Sequence, residues 1–69
     1  MNLIKSVGIR IKKKRIKNKL TQEQLAELCG LSSNHVGRIE RGEKQAKLLT
    51  IQNIAQKLNS TIGELFNGL

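Results

Sequence analysis

The stretch TQEQLAELCGLSSNHVGRIERG, residues 21–42, decides how the chain folds. Thr21 and Gln24 have the spacing of a capping box, in which each side chain bonds the other residue's backbone N–H. Leu20 and Leu25 occupy the two positions of a hydrophobic staple. Leu25, Leu28 and Cys29 supply the apolar face of the helix that opens there. Gly30 can enter the left-handed region and end it. Ser32 then caps a second helix, stapled by Leu31 and Val36, and Gly42 closes it. Two helices joined by so short a glycine-bearing turn cross at roughly 90–120°, as in a helix-turn-helix. Ala26 is the small residue that such a crossing needs.

Outward from this pair the pattern stays helical. Ile4, Val7 and Ile11 mark one face of an earlier helix, and Arg15 continues their line. After the segment GEKQAK, residues Leu48, Ile51, Ile54, Ala55 and Leu58 mark a fourth helix. Its start is undefined, because Lys47 is a poor cap and Thr50 a better one that lies late. Thr61 and Glu64 read as another capping box, opening a short fifth helix through Leu65 and Phe66. Residues 1–69 therefore read as one all-α domain of five helices, with no repeat and no low-complexity linker.

A chain of 69 residues buries only about 60% of its unfolded surface, so its core is marginal unaided. Its one cysteine excludes an internal disulfide, and one histidine without any aspartate leaves almost nothing for a metal site. Oligomerisation is the remaining aid. The formal charge of +8 points to a polyanionic partner: duplex DNA, RNA or an acidic membrane surface. Single-strand readers stack bases on aromatic rings, and this chain has one phenylalanine and no tryptophan or tyrosine. Duplex DNA gains accordingly. No apolar run is long enough for a signal peptide or membrane span, and the lone cysteine fits a reducing compartment. The expected location is cytoplasmic.

The run LTQEQLAELCGLSSNHVGRIERGEK, followed by LLTIQNIAQKL and STIGELF, resembles the lambda-repressor-like helix-turn-helix family of Xre type. The likeness covers about residues 7–66, with Thr21-Gln22, Leu25-Ala26, Gly30, Ser32, Val36 and Arg38 through Gly42 at the family's spacings. Three positions depart from the pattern. Lys19 stands where a glycine is usual, Ala46-Lys47 where proline-serine is common, and Gly37 where many members have serine.

The resemblance implies a compact five-helix DNA-binding domain whose helix-turn-helix spans about residues 21–41. Its third helix would lie in the major groove and read bases near its N-terminal end. Steps of about 100° per residue turn Val36 and Ile39 inward and Ser33, Asn34, Gly37 and Arg38 outward. Arg38 suits guanine, Asn34 suits adenine, and Ser33 is less selective. Gly37 lowers helix propensity by about 1 kcal/mol against alanine. It lets the backbone approach DNA or frees Arg38 to swing, or else is a neutral choice at an exposed site. Phosphates are expected at Gln22, where family members hold one, and at Ser32, Lys44, Gln45 and Lys47. The basic run IKKKRIKNK reads mainly as a solvated face that adds long-range attraction.

The family also pairs the residues at positions 15 and 40, so the resemblance implies an Arg15–Glu40 ion pair. The alternative is that Arg15 snorkels to solvent. His35 lies between the faces and reads as an ordinary half-buried side chain, and Cys29 as a small core residue.

The function implied is a sequence-specific duplex-DNA-binding transcription regulator, acting as a homodimer on a palindromic operator. With nothing after Leu69 to sense a ligand, repression is the simpler mode. Leu65, Phe66 and Leu69 are the apolar residues offered for the dimer contact. A short family member can instead be an antitoxin that binds a toxin protein and its own operator. A membrane-surface role for the basic first helix lacks tryptophan anchors and ignores the globular pattern that follows. Catalysis has no nucleophile–histidine pair and no phosphate-cradling loop to work with. No cofactor, metal or small-molecule ligand is expected.

Overall fold

Asn2 opens the first helix by accepting the Lys5 backbone N–H on Oδ1 at 3.2 Å. The computed structural model describes residues 2–69. Its elements are α1 (Leu3–Lys17), α2 (Gln22–Cys29), α3 (Ser33–Glu40), α4 (Leu48–Lys57) and α5 (Ile62–Phe66), with no strand among the described residues. The all-α, five-helix expectation holds.

α1 buries the stripe Val7, Gly8, Ile11 and Arg15, with Ile4 half-buried at its start. It ends at Asn18, whose side-chain amide donates to the carbonyls of Lys14 at 2.7 Å and Leu58 at 3.3 Å. The chain then turns through Lys19 at φ 59°, a left-handed conformation normally left to glycine. Lys19 does that work with a Cβ in place.

Both halves of the α2 capping box form. Gln24 N–H donates to Thr21 Oγ1 at 3.0 Å, and Thr21 N–H to Gln24 Oε1 at 2.8 Å. Gly30 ends the helix at φ 70°, and Leu31 N–H returns to the Ala26 carbonyl at 2.8 Å. Leu25 and Ala26 are buried, but Leu28 is 50% exposed, against the expectation that it faces the core. The core direction runs between Leu25 and Ala26, close above Cys29, and Leu28 lies about 100° away around the helix.

α4 starts without a side-chain cap at Lys47, and it leaves Leu48 and Leu49 at 62% and 77% exposed. Leu48 therefore belongs to the outer surface; Ile54, Ala55 and Leu58 carry the buried side. The α5 box is only half made. Thr61 Oγ1 accepts the Glu64 N–H at 3.1 Å, while the Glu64 carboxylate pairs with Lys14 at 3.2 Å instead of turning back.

The helices enclose Val7, Ile11, Leu25, Ala26, Val36, Ile39, Ile54, Ala55, Leu58 and Leu65. Fully burying an aliphatic side chain such as Ile11, Leu25, Ile54 or Leu65 contributes about 1.5–3 kcal/mol. Leu65 is fully buried here and is therefore unavailable for a dimer contact. α1 crosses α3 at Gly8, where a Cβ would stand 2.3 Å from the Ile39 carbonyl oxygen and 2.7 Å from that of Glu40. That approach fixes the position of α3.

Candidate nucleic-acid interface

α3 is divided by its own periodicity. Val36, Ile39 and Glu40 are buried, and Ser33, Asn34 and Arg38 are exposed. Ser32 caps the helix as expected, its Oγ accepting the His35 N–H at 3.0 Å. Eight residues make a helix about 12 Å long, so Ser33, Asn34 and Arg38 lie within one short polar ridge.

Gly37 departs from the outward position its spacing suggests. It is buried: a Cβ there would meet Arg41 Nη1 at 2.9 Å and the Gln22 amide at 3.4 and 3.5 Å. The absent side chain leaves a notch that two long polar side chains cover, so the Gly37 backbone is not offered to a base edge.

The ridge is held from behind. Arg15 Nε donates to Glu40 Oε2 at 2.7 Å and Nη2 to Oε1 at 3.1 Å, an ion pair whose Glu40 side chain is 1% exposed. Gln22 Nε2 donates to the same Oε1 at 3.1 Å, and Arg15 Nη1 to the Leu20 carbonyl at 2.8 Å. The Glu40 carboxylate thus joins α3 to α1 and α2, and Arg15 carries the link on to the turn after α1. The paired arrangement of Arg15 is present and the snorkelling alternative is not. Gln22, offered for phosphate, has its amide engaged within the protein.

Lys44, Gln45 and Lys47 are all exposed between α3 and α4. With His35, Ala46 and Thr50 they line a recess beside the uncapped start of α4. His35 is half-buried, and its Nε2 has no hydrogen-bond partner. Cys29 is half-buried against the core; burial pushes its thiol up, Lys57 opposing, so it is a poor nucleophile near neutral pH.

Arg41 is a candidate that sequence reasoning missed. It follows α3 in helical conformation, φ −84° and ψ −2°, which places it on the line through Gly37 and Asn34. Its Nε donates to Glu43 Oε2 at 2.7 Å and its Nη2 to Oε1 at 3.3 Å. That hydrogen bonding holds the Glu43 carboxyl below the usual carboxylate range, with the charges of Arg41 and Arg38 acting the same way. The signal lies in the spacing: Arg41 is one turn beyond Gly37.

The helix-turn-helix family pattern matches residues 11–65. The chain belongs to this helix-turn-helix family. It is 42% identical over 48 residues to the control protein C.SmaI of Serratia marcescens, covering 70% of this chain and 57% of the relative. The chain thus spans less than two thirds of that relative's length. It is 39% identical to the restriction-modification controller protein C.AhdI of Aeromonas hydrophila, whose crystal structure superposes with TM-score 0.86 over 93% of this chain and 96% of that one. C.Esp1396I, another restriction-modification controller, was solved as a tetramer in complex with its natural 35 base-pair operator. Its similarity is 27% identity and TM-score 0.85, over 96% of this chain and 87% of that one. Among the described residues no helix is long and apolar enough to cross a membrane.

Proposed function

We propose that this family member is a sequence-specific duplex-DNA-binding transcription regulator of the controller type, working in the cytoplasm. It inserts α3 in the major groove and acts most simply as a repressor on a palindromic operator. The observation that carries this is the ridge of Ser33, Asn34 and Arg38, exposed on a helix whose other side is fixed by the buried Arg15–Glu40 pair. Side chains so held can meet base edges without ordering the helix at the moment of binding.

Arg38 takes guanine, Asn34 adenine, and Ser33 either partner. Ser32, Lys44, Gln45 and Lys47 meet backbone phosphates, together with the first turn of α2 at Gln22. The operator-bound tetramer of C.Esp1396I supports DNA as partner and self-association as the mode. The relatives are controllers and regulators, so the regulator reading is favoured over an antitoxin with a toxin partner. For the contact between copies, Phe66 and Leu69 remain of the C-terminal apolar set, Leu65 being buried.

Selection from random duplexes tests the proposal. The wild-type chain should enrich a palindrome with half-site centres about one turn, roughly 34 Å, apart. Arg38→Ala should relax preference at one symmetric pair of positions. An unenriched pool overturns the proposal.

A further inference from the structure

We infer that Arg41 is a phosphate-binding residue masked in the free protein by Glu43, and that a DNA backbone phosphate displaces Glu43 from its guanidinium. The inference rests on the duplex-binding reading above. Steps of about 100° per residue put Arg41 between Gly37 and Asn34, inside the arc that Ser33 and Arg38 bound. Its side chain lies back over the Gly37 notch beside the Gln22 amide, which Glu40 holds in place. The guanidinium is therefore carried on the DNA-facing side, one turn beyond the base-reading residues, where the groove wall of a bound duplex would run.

Glu43 occupies the guanidinium as a phosphate would. Two carboxylate oxygens take Nε and Nη2 in a fork, the geometry by which arginine also grips phosphate. Nη1 makes no hydrogen bond among the described residues and faces the notch. Both side chains of the pair are about half exposed, so water and salt weaken their attraction and the exchange is easily reversed. Glu43 follows Gly42, which turns the chain at φ 72°, and its N–H is tied to the Arg38 carbonyl at 2.9 Å. Its carboxylate can therefore swing away while α3 keeps its place. The mask keeps one arginine from gripping stray anions and sets an upper bound on non-sequence-specific affinity.

The test measures binding of the full chain to a selected duplex and a scrambled one across a salt series. The proteins are wild type, Arg41→Ala, Glu43→Gln, the double variant and Glu23→Gln, the last reporting general charge alone. Arg41→Ala should weaken both duplexes alike and lower the slope of log K against log salt by about one. Glu43→Gln should tighten both by about threefold, the scale of an exposed pair. That gain should vanish in the Arg41→Ala background. By NMR, the Glu43 carboxyl should titrate higher in the complex than in the free protein.

An unchanged slope for Arg41→Ala with wild-type binding intact overturns this inference alone. So does an equal gain from Glu23→Gln, or from Glu43→Gln without Arg41, or a Glu43 titration unmoved by DNA. No duplex binding by the wild type at any salt overturns the functional reading, and this one with it.

Discussion

Arg15 on α1 and Glu40 on α3 share two hydrogen bonds, 2.7 and 3.1 Å long, and the carboxylate also accepts from Gln22 on α2 at 3.1 Å. Removing one member of a buried pair strands the other charge, which destabilises by about 3–5 kcal/mol. Glu40→Ala should therefore melt far below wild type. Glu23→Ala, on the exposed side of α2, should stay within about 0.5 kcal/mol. Urea titrations of both variants check this, and equal losses would count against the pair as the clamp on α3. Converting both partners together, Arg15→Met with Glu40→Leu, should recover much of the loss, since a buried ion pair is often replaceable by apolar packing.

Features written in local spacing are legible in the sequence alone: the Thr21–Gln24 box, the Gly30 stop, the Ser32 cap and the inward line of Val7, Ile11 and Arg15. Each depends on residues of one helix or its cap, spaced a turn or so from the next. What depends on the position of a second helix is not legible there. Leu28 and Leu65 look alike by periodicity, yet one is half exposed and the other fully buried. Gly37 has an outward position on the helical wheel, but Gln22 and Arg41 close over it. Glu64 has the residue type for a box and finds Lys14, far away in sequence.

Gly8 is silent in the sequence for the same reason, and it yields a prediction of opposite sign to propensity. Alanine in place of a helical glycine normally gains about 1 kcal/mol. At Gly8 the new Cβ meets two backbone carbonyls of α3, which cannot step aside as a side chain would. Gly8→Ala should lose about 1–3 kcal/mol, the range for overpacked sites. Gly63→Ala in α5 is the control, because its Cβ would meet only Thr61 Oγ1 at 3.6 Å and should be neutral or stabilising. Thermal melts of the two variants moving in the same direction would remove Gly8 from the α1–α3 contact.

Lys19 holds a left-handed conformation at φ 59° with a side chain attached. A residue other than glycine is disfavoured there by roughly 1–2 kcal/mol, part of which glycine forfeits through the greater freedom of its unfolded chain. Lys19→Gly should gain about 1 kcal/mol, raising the melting temperature by about 4–8 °C in a domain of this size. Lys19→Ala should show no such gain, since it keeps the Cβ. A melt of Lys19→Gly at or below wild type would mean that the turn after α1 carries no strain.

Gly37→Ala should separate stability from binding. Its Cβ would meet the end of Arg41 at 2.9 Å and the Gln22 amide at 3.4 and 3.5 Å. Arg41 is exposed and flexible at that end, so it can move aside, and the helix gains up to about 1 kcal/mol of propensity. The variant should therefore melt no lower than wild type. Its duplex affinity should nevertheless fall, because the displaced Arg41 no longer lies over the notch from which it would reach a phosphate. Melting curves and binding isotherms at one fixed salt concentration check the two halves together. A lower melting temperature would make Gly37 a packing residue of the α2–α3 contact, and undiminished binding would show that the path of Arg41 across α3 is immaterial to DNA.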